Sequence, residues 1–216
     1  MVNIQIERKN LLGMPKKDKI SFFDVLLIIL ITLLFLNVFV QSFWLSPVEV
    51  SGTSMEKTLQ HEDWLLIDKF AKPQRGEVVV FKATKYDNYI KRIIATGGDQ
   101  LYSKKGVIFL KVKGSDDFVE LNEDYAYFDS IYGFGTYLDK SYRDIPLTTI
   151  EEGKMFVLGD NRWGSKDSRQ IGQVDESTII GIVPKWAIEN RHSYAWYYDF
   201  IERVNVWIRK TFKGSK

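Results

Sequence analysis

The chain has 216 residues, 45% of them hydrophobic and 14% aromatic, so a folded core is expected and disorder is not the default. Its net charge of +2, with no stripe of Lys and Arg, argues against a nucleic-acid partner. Because it has no cysteine and two histidines, the sequence excludes thiol nucleophiles, disulfides, iron–sulfur clusters and a His-rich metal site, and no motif predicts a cofactor.

The first predicted element is an apolar run near the N-terminus. As a helix, residues 22–44 would be about 34 Å long, enough to cross a hydrocarbon core of about 30 Å. The alternative, a cleavable signal peptide, has a shorter apolar region followed by a small-x-small cleavage site. Here the run is followed by Ser-Phe-Trp-Leu-Ser-Pro. We therefore interpret residues 21–44 as a permanent transmembrane anchor.

The charges that flank this run predict its orientation. Five Lys and Arg residues precede it, and the next basic residue after it is Lys57. By the positive-inside rule, residues 1–20 are predicted to form a cytoplasmic tail and the rest to lie on the extracytoplasmic side. The chain is thus predicted to be a single-pass protein of the cell membrane, with membrane lipid as one partner.

The external part, residues 45–190, is predicted to be a mostly β domain resembling a mixed barrel or sandwich. Short apolar or alternating runs, separated by Gly, Pro and polar turns, indicate its strands. These predicted strands lie at about 48–50, 64–70, 77–81, 89–95, 107–112, 155–158 and 179–183. Residues from about 100 to 153 are predicted to be a β-rich inserted subdomain or long loops on the main sheet.

The C-terminal residues 195–213 show a helical pattern. Apolar residues recur at spacings of three and four, and charged residues occupy much of the remaining surface, which predicts an amphipathic helix. Such a helix could dock on the domain, or it could lie on the outer face of the membrane.

A serine directly after the first predicted strand lies in a glycine-bearing turn, residues 51–59. Such a turn would hold the Ser54 hydroxyl outward and near backbone N–H groups, as acyl transfer requires. Most Gly-Ser-Thr clusters are plain turns, so this segment alone does not identify a nucleophile. A Ser-His arrangement would need His61 or His192 to approach Ser54, and both histidines are predicted to be surface residues.

A lysine lies inside the predicted strand 89–95. Strand alternation puts Lys91 on the face opposite Ile90, where it would be either a solvated surface residue or a buried amine. If it is buried, its pKa must fall below the usual value of about 10.4, because desolvation disfavours the charged form. A neutral amine of this kind can take a proton from a serine.

A third segment, residues 159–169, is dense in small, hydroxyl and charged side chains and follows a buried strand. Taken alone it would be a polar loop with an Asp–Arg pair. Together and in this order behind an anchor, however, the three segments resemble the type I signal peptidase family in its single-span, Gram-positive-like form.

Four motifs carry this resemblance. The family has Ser-Met followed by Pro-Thr-Leu, then Arg-Gly-Asp-Val-Val-Val-Phe, then Lys-Arg before a Gly-Asp turn, and last Gly-Asp-Asn-x-x-x-Ser-x-Asp-Ser-Arg. The matching positions here are Ser54-Met55, residues 75–81 with Glu77 in place of Asp, Lys91-Arg92 before Gly98-Asp99, and residues 159–169. The similarity covers about residues 20–185, and the last motif is the most specific.

The resemblance implies a signal-peptidase-like β-fold and a membrane-bound serine endopeptidase that removes signal peptides from preproteins. Ser54 would attack the scissile carbonyl and Lys91 would be the general base. The oxyanion donor would be the backbone N–H of Ser54, since Gly52 lacks the hydroxyl that some relatives have at this position. Preproteins that bear signal peptides are the implied partners, with the secretion translocon as a further candidate.

The resemblance also implies roles for ten other residues. Ser165 would hold the amine of Lys91, Asp167 and Arg169 would form a structural salt bridge, and Arg92 and Asp160 would support the site. Val48, Val50, Met55, Tyr89 and Ile90 would form the walls of shallow pockets for small side chains at the −1 and −3 positions of the substrate. No metal site is implied.

Two departures from the family pattern flank the dyad. Glu56-Lys57 replaces x-Pro, and Ala95-Thr96-Gly97 replaces Gly-Leu-Pro. They could shift the turns that position Ser54 and Lys91, and they suggest a specialised substrate. An alternative is a specialised or non-catalytic relative that assists the assembly of pili or surface proteins. A self-cleaving regulator with a Ser-Lys dyad is a third hypothesis, disfavoured by the anchor and by the lack of a DNA-binding segment.

Overall fold

The computed structural model describes residues 21–126 and 144–192, together with 199–200, 203–204 and 206–207. The chain divides into two compact units, Met1–Val40 and Gln41–Lys216. The predicted apolar helix is confirmed as α1, Phe22–Phe43. Its residues Phe22–Val40 have a mean hydropathy of 2.8, and this is the one helix among the described residues long and apolar enough to cross a membrane. The carboxylate of Asp24 accepts a hydrogen bond from the Ser21 N–H at 2.8 Å, which helps to fix the start of α1.

The second unit is mostly β, as predicted. Its strands in chain order are β1 Leu45–Glu49, β2 Trp64–Asp68, β3 Val78–Lys82, β4 Asn88–Thr96, β5 Gln100–Lys104, β6 Val107–Lys111, β7 Val119–Glu120, β8 Thr148–Thr149, β9 Lys154–Leu158, β10 Val174–Asp175 and β11 Ile179–Val183. Its short helices are α2 Ser168–Ile171 and α3 Lys185–Glu189.

Seven strands form the main sheet, in the order β1-β2-β11-β3-β4-β9-β10, and every described pair is antiparallel. The β3–β4 hairpin is central because its near-continuous Val and Ile residues are buried on both faces of the sheet. Val78 and Val80 pack in one hydrophobic cluster, and Val79 and Ile93 pack in another. The hairpin register pairs Val79 with Lys91, so the lysine lies at the centre of the sheet.

The β-rich interpretation of residues 100–153 corresponds to a second antiparallel sheet in the order β7-β6-β5-β8. Its own core includes Leu101, Ile108 and Ile150. The sequence had not predicted β5, which pairs with β6 along its whole length.

The predicted C-terminal helix is only partly within the described residues. Residues 199–200, 203–204 and 206–207 are helical, and Arg203 forms an ion pair with Asp199 at 2.9 Å. The rest of the range 195–213 lies outside the described residues.

Candidate active site

The turn that follows β1 presents a half-buried serine. Leu59 and Met55 anchor the turn in the core, and the Leu59 N–H donates to the Met55 carbonyl at 2.8 Å. Gly52 has φ +94°, a conformation that side-chain-bearing residues rarely adopt. The Ser54 backbone N–H donates no hydrogen bond among the described residues, so it is available to a ligand.

The lysine of β4 meets this serine. Lys91 is 4% exposed, and its Nζ lies 2.6 Å from Ser54 Oγ and 2.8 Å from the Ile90 carbonyl oxygen. Burial lowers the pKa of Lys91 from 10.5 to about 8, while the carboxylates of Asp167 and Asp160 oppose part of this fall. A lysine with this pKa has an appreciable neutral fraction near neutral pH and can accept the hydroxyl proton of Ser54.

A buried ion pair joins the lysine strand, β4, to the 159–169 segment. Arg92 binds Asp160 in bidentate fashion, with Nε–Oδ1 at 2.8 Å and Nη2–Oδ2 at 2.6 Å. The hydroxyl of Thr58 donates to the same carboxylate, and Arg92 Nη1 donates to the Gly76 carbonyl at 2.7 Å. The pair therefore joins the end of the serine turn to β4. Thr58 was not among the predicted site residues, although the threonine of the Pro-Thr-Leu motif was a signal for it.

A second ion pair fixes the 159–169 segment. Arg169 binds Asp167 at 2.8 and 2.7 Å, and Asp167 also accepts the Gly159 N–H at 2.9 Å. Asp167 caps α2 through a capping box with Gln170, which explains why the chain turns into a helix at this point. The predicted pair thus holds both ends of the segment.

Ser165 does not make the hydrogen bond expected of it. Its hydroxyl is buried and has no partner among the described residues, whereas the Lys91 amine bonds to Ser54 and Ile90. Ser165 instead packs against Gly159, where an added Cβ would lie 2.2 Å from Ser165 Oγ and 2.5 Å from the Ser54 carbonyl oxygen. Gly159 is therefore required for the close approach of these two chain segments.

Asn161 is a site residue that sequence reasoning did not single out. Its backbone N–H donates to the Ser54 carbonyl at 3.1 Å, and its side-chain amide donates to the Thr53 carbonyl at 3.2 Å. Asn161 Oδ1 accepts the Gly164 N–H at 3.0 Å. Its place in the Gly-Asp-Asn motif was the available signal. Asn161 thus binds two backbone carbonyls of the serine turn.

An open cleft of about 590 Å³ leads to the Ser54–Lys91 pair. Of the residues expected to form substrate pockets, Val48, Tyr89 and Ile90 line this cleft. Val50 and Met55 do not: they are 3% and 1% exposed and belong to the hydrophobic core. The pocket role of these two residues was implied by the resemblance alone, and an apolar side chain is compatible with a cleft wall and with a core, so the sequence did not distinguish the two environments.

One wall of the cleft is the free edge of β1. Among the described residues, β1 pairs only with β2. The Lys69 N–H donates to the Trp44 carbonyl, and the Val50 N–H donates to the Asp63 carbonyl. Because backbone groups alternate in direction along a strand, Pro47 and Glu49 direct theirs to the free edge. Proline has no N–H, so Glu49 offers both a donor and an acceptor there, whereas Pro47 offers only its carbonyl.

The histidines do not contact Ser54. His61 Nδ1 lies 3.3 Å from the Val50 carbonyl oxygen, His192 Nδ1 lies 3.9 Å from Asp63 Oδ1, and both side chains are exposed. Within the described part of the chain, no group of three His, Cys, Asp or Glu residues could hold a metal ion. The lysine is thus the only base in contact with Ser54 there.

The matching family model and the sequence relatives agree on one family. The family model described as "Signal peptidase, peptidase S26" matches residues 22–186. Signal peptidase IB of Staphylococcus aureus (strain Mu50) is 35% identical over 149 residues, covering 67% of this chain and 78% of that protein. Signal peptidase I P of Bacillus subtilis subsp. natto is 30% identical over 174 residues, covering 77% of this chain and 89% of that protein. A crystal structure of a signal peptidase I from Enterococcus faecalis V583 is 27% identical, with a TM-score of 0.41, and covers 53% of this chain and 98% of that one.

Proposed function

Because the chain belongs to the signal peptidase family, peptidase S26, we propose that it is a membrane-anchored serine endopeptidase that removes signal peptides with a Ser54–Lys91 dyad. The observation that carries this proposal is the 2.6 Å contact between Ser54 Oγ and the Nζ of a buried lysine. The lowered pKa of Lys91 supports its role as the base.

In the proposed acylation step, neutral Lys91 takes the Ser54 proton as Oγ attacks the scissile carbonyl carbon. The tetrahedral oxyanion accepts a hydrogen bond from the Ser54 N–H, and Gly52 supplies no second, side-chain donor. The protonated lysine then gives its proton to the leaving amine, and an ester to Ser54 remains. Water hydrolyses this ester, with Lys91 again taking a proton, and the serine is regenerated.

We propose that the two ion pairs keep the dyad in register. Arg92–Asp160 ties β4 to the end of the serine turn, and Asp167–Arg169 holds the segment that packs against it. Because Asp160 and Asp167 raise the pKa of Lys91 while burial lowers it, these carboxylates also limit how far that pKa falls.

The substrate is proposed to be an extended segment of a preprotein that adds as a strand at the free edge of β1. The backbone of Glu49 offers the pairing groups nearest to the serine turn. Val48, Tyr89 and Ile90 would then contact alternate side chains, which have to be small at −1 and −3 to enter shallow pockets. Recognition depends on main-chain pairing and so tolerates varied sequences.

The anchor contributes through location. We propose that residues 1–20 lie in the cytoplasm, α1 spans the lipid, and the β domain lies outside, where cleavage regions emerge. Holding the site at this surface raises its effective concentration toward membrane-bound preproteins. The translocon that delivers them is the proposed neighbour.

The proposal is tested by the processing of a purified preprotein in detergent or vesicles. Ser54→Ala and Lys91→Ala are each expected to reduce cleavage about a thousandfold or more. Ser115→Ala and Lys82→Ala, at exposed positions on the same domain, are matched controls expected to cleave normally. Normal cleavage by either dyad variant would show the dyad to be wrong, and no cleavage by the wild-type chain would refute the activity.

A further inference from the structure

Three consecutive residues of the inserted subdomain, Glu123, Asp124 and Tyr125, each contact a different segment of the site. We call residues 123–125 the strap. Glu123 contacts the 159–169 segment, Asp124 the serine turn and Tyr125 the lysine strand. They come well after the β5–β6 hairpin in the chain, and no local sequence pattern predicted these contacts.

The contact of Glu123 is a buried, bidentate ion pair with Arg162. Nη1 of Arg162 lies 2.8 Å from Oε2, Nη2 donates to Oε1, and the two side chains are 4% and 9% exposed. Arg162 Nε also donates to the Gly159 carbonyl at 3.0 Å. Because a buried guanidinium needs its counter-charge, Glu123 fixes the position of Arg162 and, through it, of Gly159.

The contact of Tyr125 is a stack over a guanidinium. Cζ of Arg92 lies 4.0 Å from the ring centroid, and the phenol hydroxyl donates to Glu123 Oε1 at 3.0 Å. Burial, and next the charge of Glu123, raise the pKa of Tyr125, so its hydroxyl stays protonated beyond the pH at which an ordinary tyrosine ionises. The ring thus covers the arginine that binds Asp160.

The contact of Asp124 is made by its backbone. Its carbonyl accepts a hydrogen bond from Lys57 Nζ at 2.6 Å. Lys57 stands where the family has proline and adopts φ +77°, a conformation closed to proline. This departure from the family pattern therefore connects the serine turn to the strap.

We propose that the strap positions the reacting groups, with Glu123 and Tyr125 as positioning residues for Ser54 and Lys91. This inference rests on the proposed function. Neither the strap nor Lys57, Arg92 or Arg162 lines the substrate cleft. The strap therefore acts on the chemical step, and substrate binding does not depend on it.

The test compares kcat and KM of the full-length chain on one signal-peptide substrate. Glu123→Gln and Tyr125→Leu are each expected to lower kcat about tenfold or more while KM stays within about twofold. Tyr125→Phe keeps the ring over Arg92 and is expected to retain kcat within about threefold. Glu120→Gln, at an exposed position in the same subdomain, is the matched control and is expected to leave both constants unchanged.

A second variant covers the case in which Glu123→Gln leaves Arg162 unpaired and does not fold. The double variant Glu123→Gln with Arg162→Gln removes both buried charges, and we expect it to fold with a kcat about tenfold below wild type.

Three results would overturn the proposed role of the strap. The first is a fall in melting temperature while kcat per folded molecule stays at the wild-type value, and the second is a rise in KM alone. The third is an equal loss of kcat in Tyr125→Phe and Tyr125→Leu. If wild type does not cleave, or if Ser54→Ala cleaves as fast as wild type, the proposed function fails. If wild type cleaves and Ser54→Ala does not, the strap variants test the strap proposal alone.

Discussion

The proposed role of buried Lys91 as the base predicts the pH dependence of cleavage. Its pKa lies at about 8 in place of 10.5, so at pH 7 about a tenth of the molecules carry the neutral base. With an ordinary lysine, the neutral fraction at pH 7 would be about one in 3,000. Burial therefore increases the fraction of molecules with a neutral Lys91 about 300-fold. The corresponding free energy, by which burial disfavours the charged amine, is about 3 kcal/mol.

The measurement is kcat/KM for a fluorogenic signal-peptide substrate between pH 6 and 10, which reports the ionisation of the free enzyme. We expect kcat/KM to rise about tenfold per pH unit below 8 and to level off above it. His61→Asn and His192→Asn, single and combined, are expected to leave the profile unchanged, since neither histidine contacts Ser54.

Two results would refute this reasoning. A kcat/KM that still rises about tenfold per pH unit between pH 9 and 10 would mean that the amine is solvated during the reaction. A midpoint near 6.5 that disappears in a histidine variant would assign the base to that histidine.

Three further predictions concern the free energy of unfolding and the backbone conformation. Lys91→Met should raise the free energy of unfolding at pH 7 by up to about 3 kcal/mol in chemical denaturation. Because the folded pKa lies below the unfolded one, wild-type stability should rise from pH 8 to 10.5 and the advantage of Met should shrink there; a constant difference would contradict this. Gly159→Ala, whose added Cβ would meet Ser165 and the Ser54 carbonyl, should lower the free energy of unfolding by about 1–3 kcal/mol and also lower kcat. Gly181→Ala, whose added Cβ would meet Asp68 and Ile67 and no residue of the serine turn, should lower the free energy of unfolding alone. Lys57→Pro should cost about 3 kcal/mol because φ is +77°, whereas Lys57→Gly should be tolerated; equal midpoints for Pro and Gly would argue against this backbone conformation.

Local patterns predicted most of the fold. The apolar run became α1, and the Val- and Ile-rich runs became β3, β4, β9 and β11 within a residue or two. Such segments can be recognised because hydrophobicity and its period are local properties of the sequence. β5 was missed, since its alternation is carried by Leu101 and Ser103, which are buried against Ile145 and the β6 strand.

The site was predictable to the extent that the motifs describe it. The motifs identified Ser54 and Lys91 as candidate site residues, and in the structure their side chains are in contact. The burial of Val50 and Met55 in the hydrophobic core was not predictable, because residues that line a cleft and residues that fill a core are both apolar. The contacts of Glu123 and Tyr125 were invisible for another reason: they join residues far apart in the chain, and nothing in the intervening sequence fixes that distance.

Pro47 gives the free edge of β1 a limit on self-association. An exposed strand edge with a full row of donors and acceptors invites a second copy to pair along it and begin a growing sheet. Here the row is interrupted at Pro47, next to Glu49, so only a short stretch can be paired in full. Under the proposed function, the same interruption limits the number of main-chain hydrogen bonds to a substrate strand and so favours release of the polypeptide after cleavage.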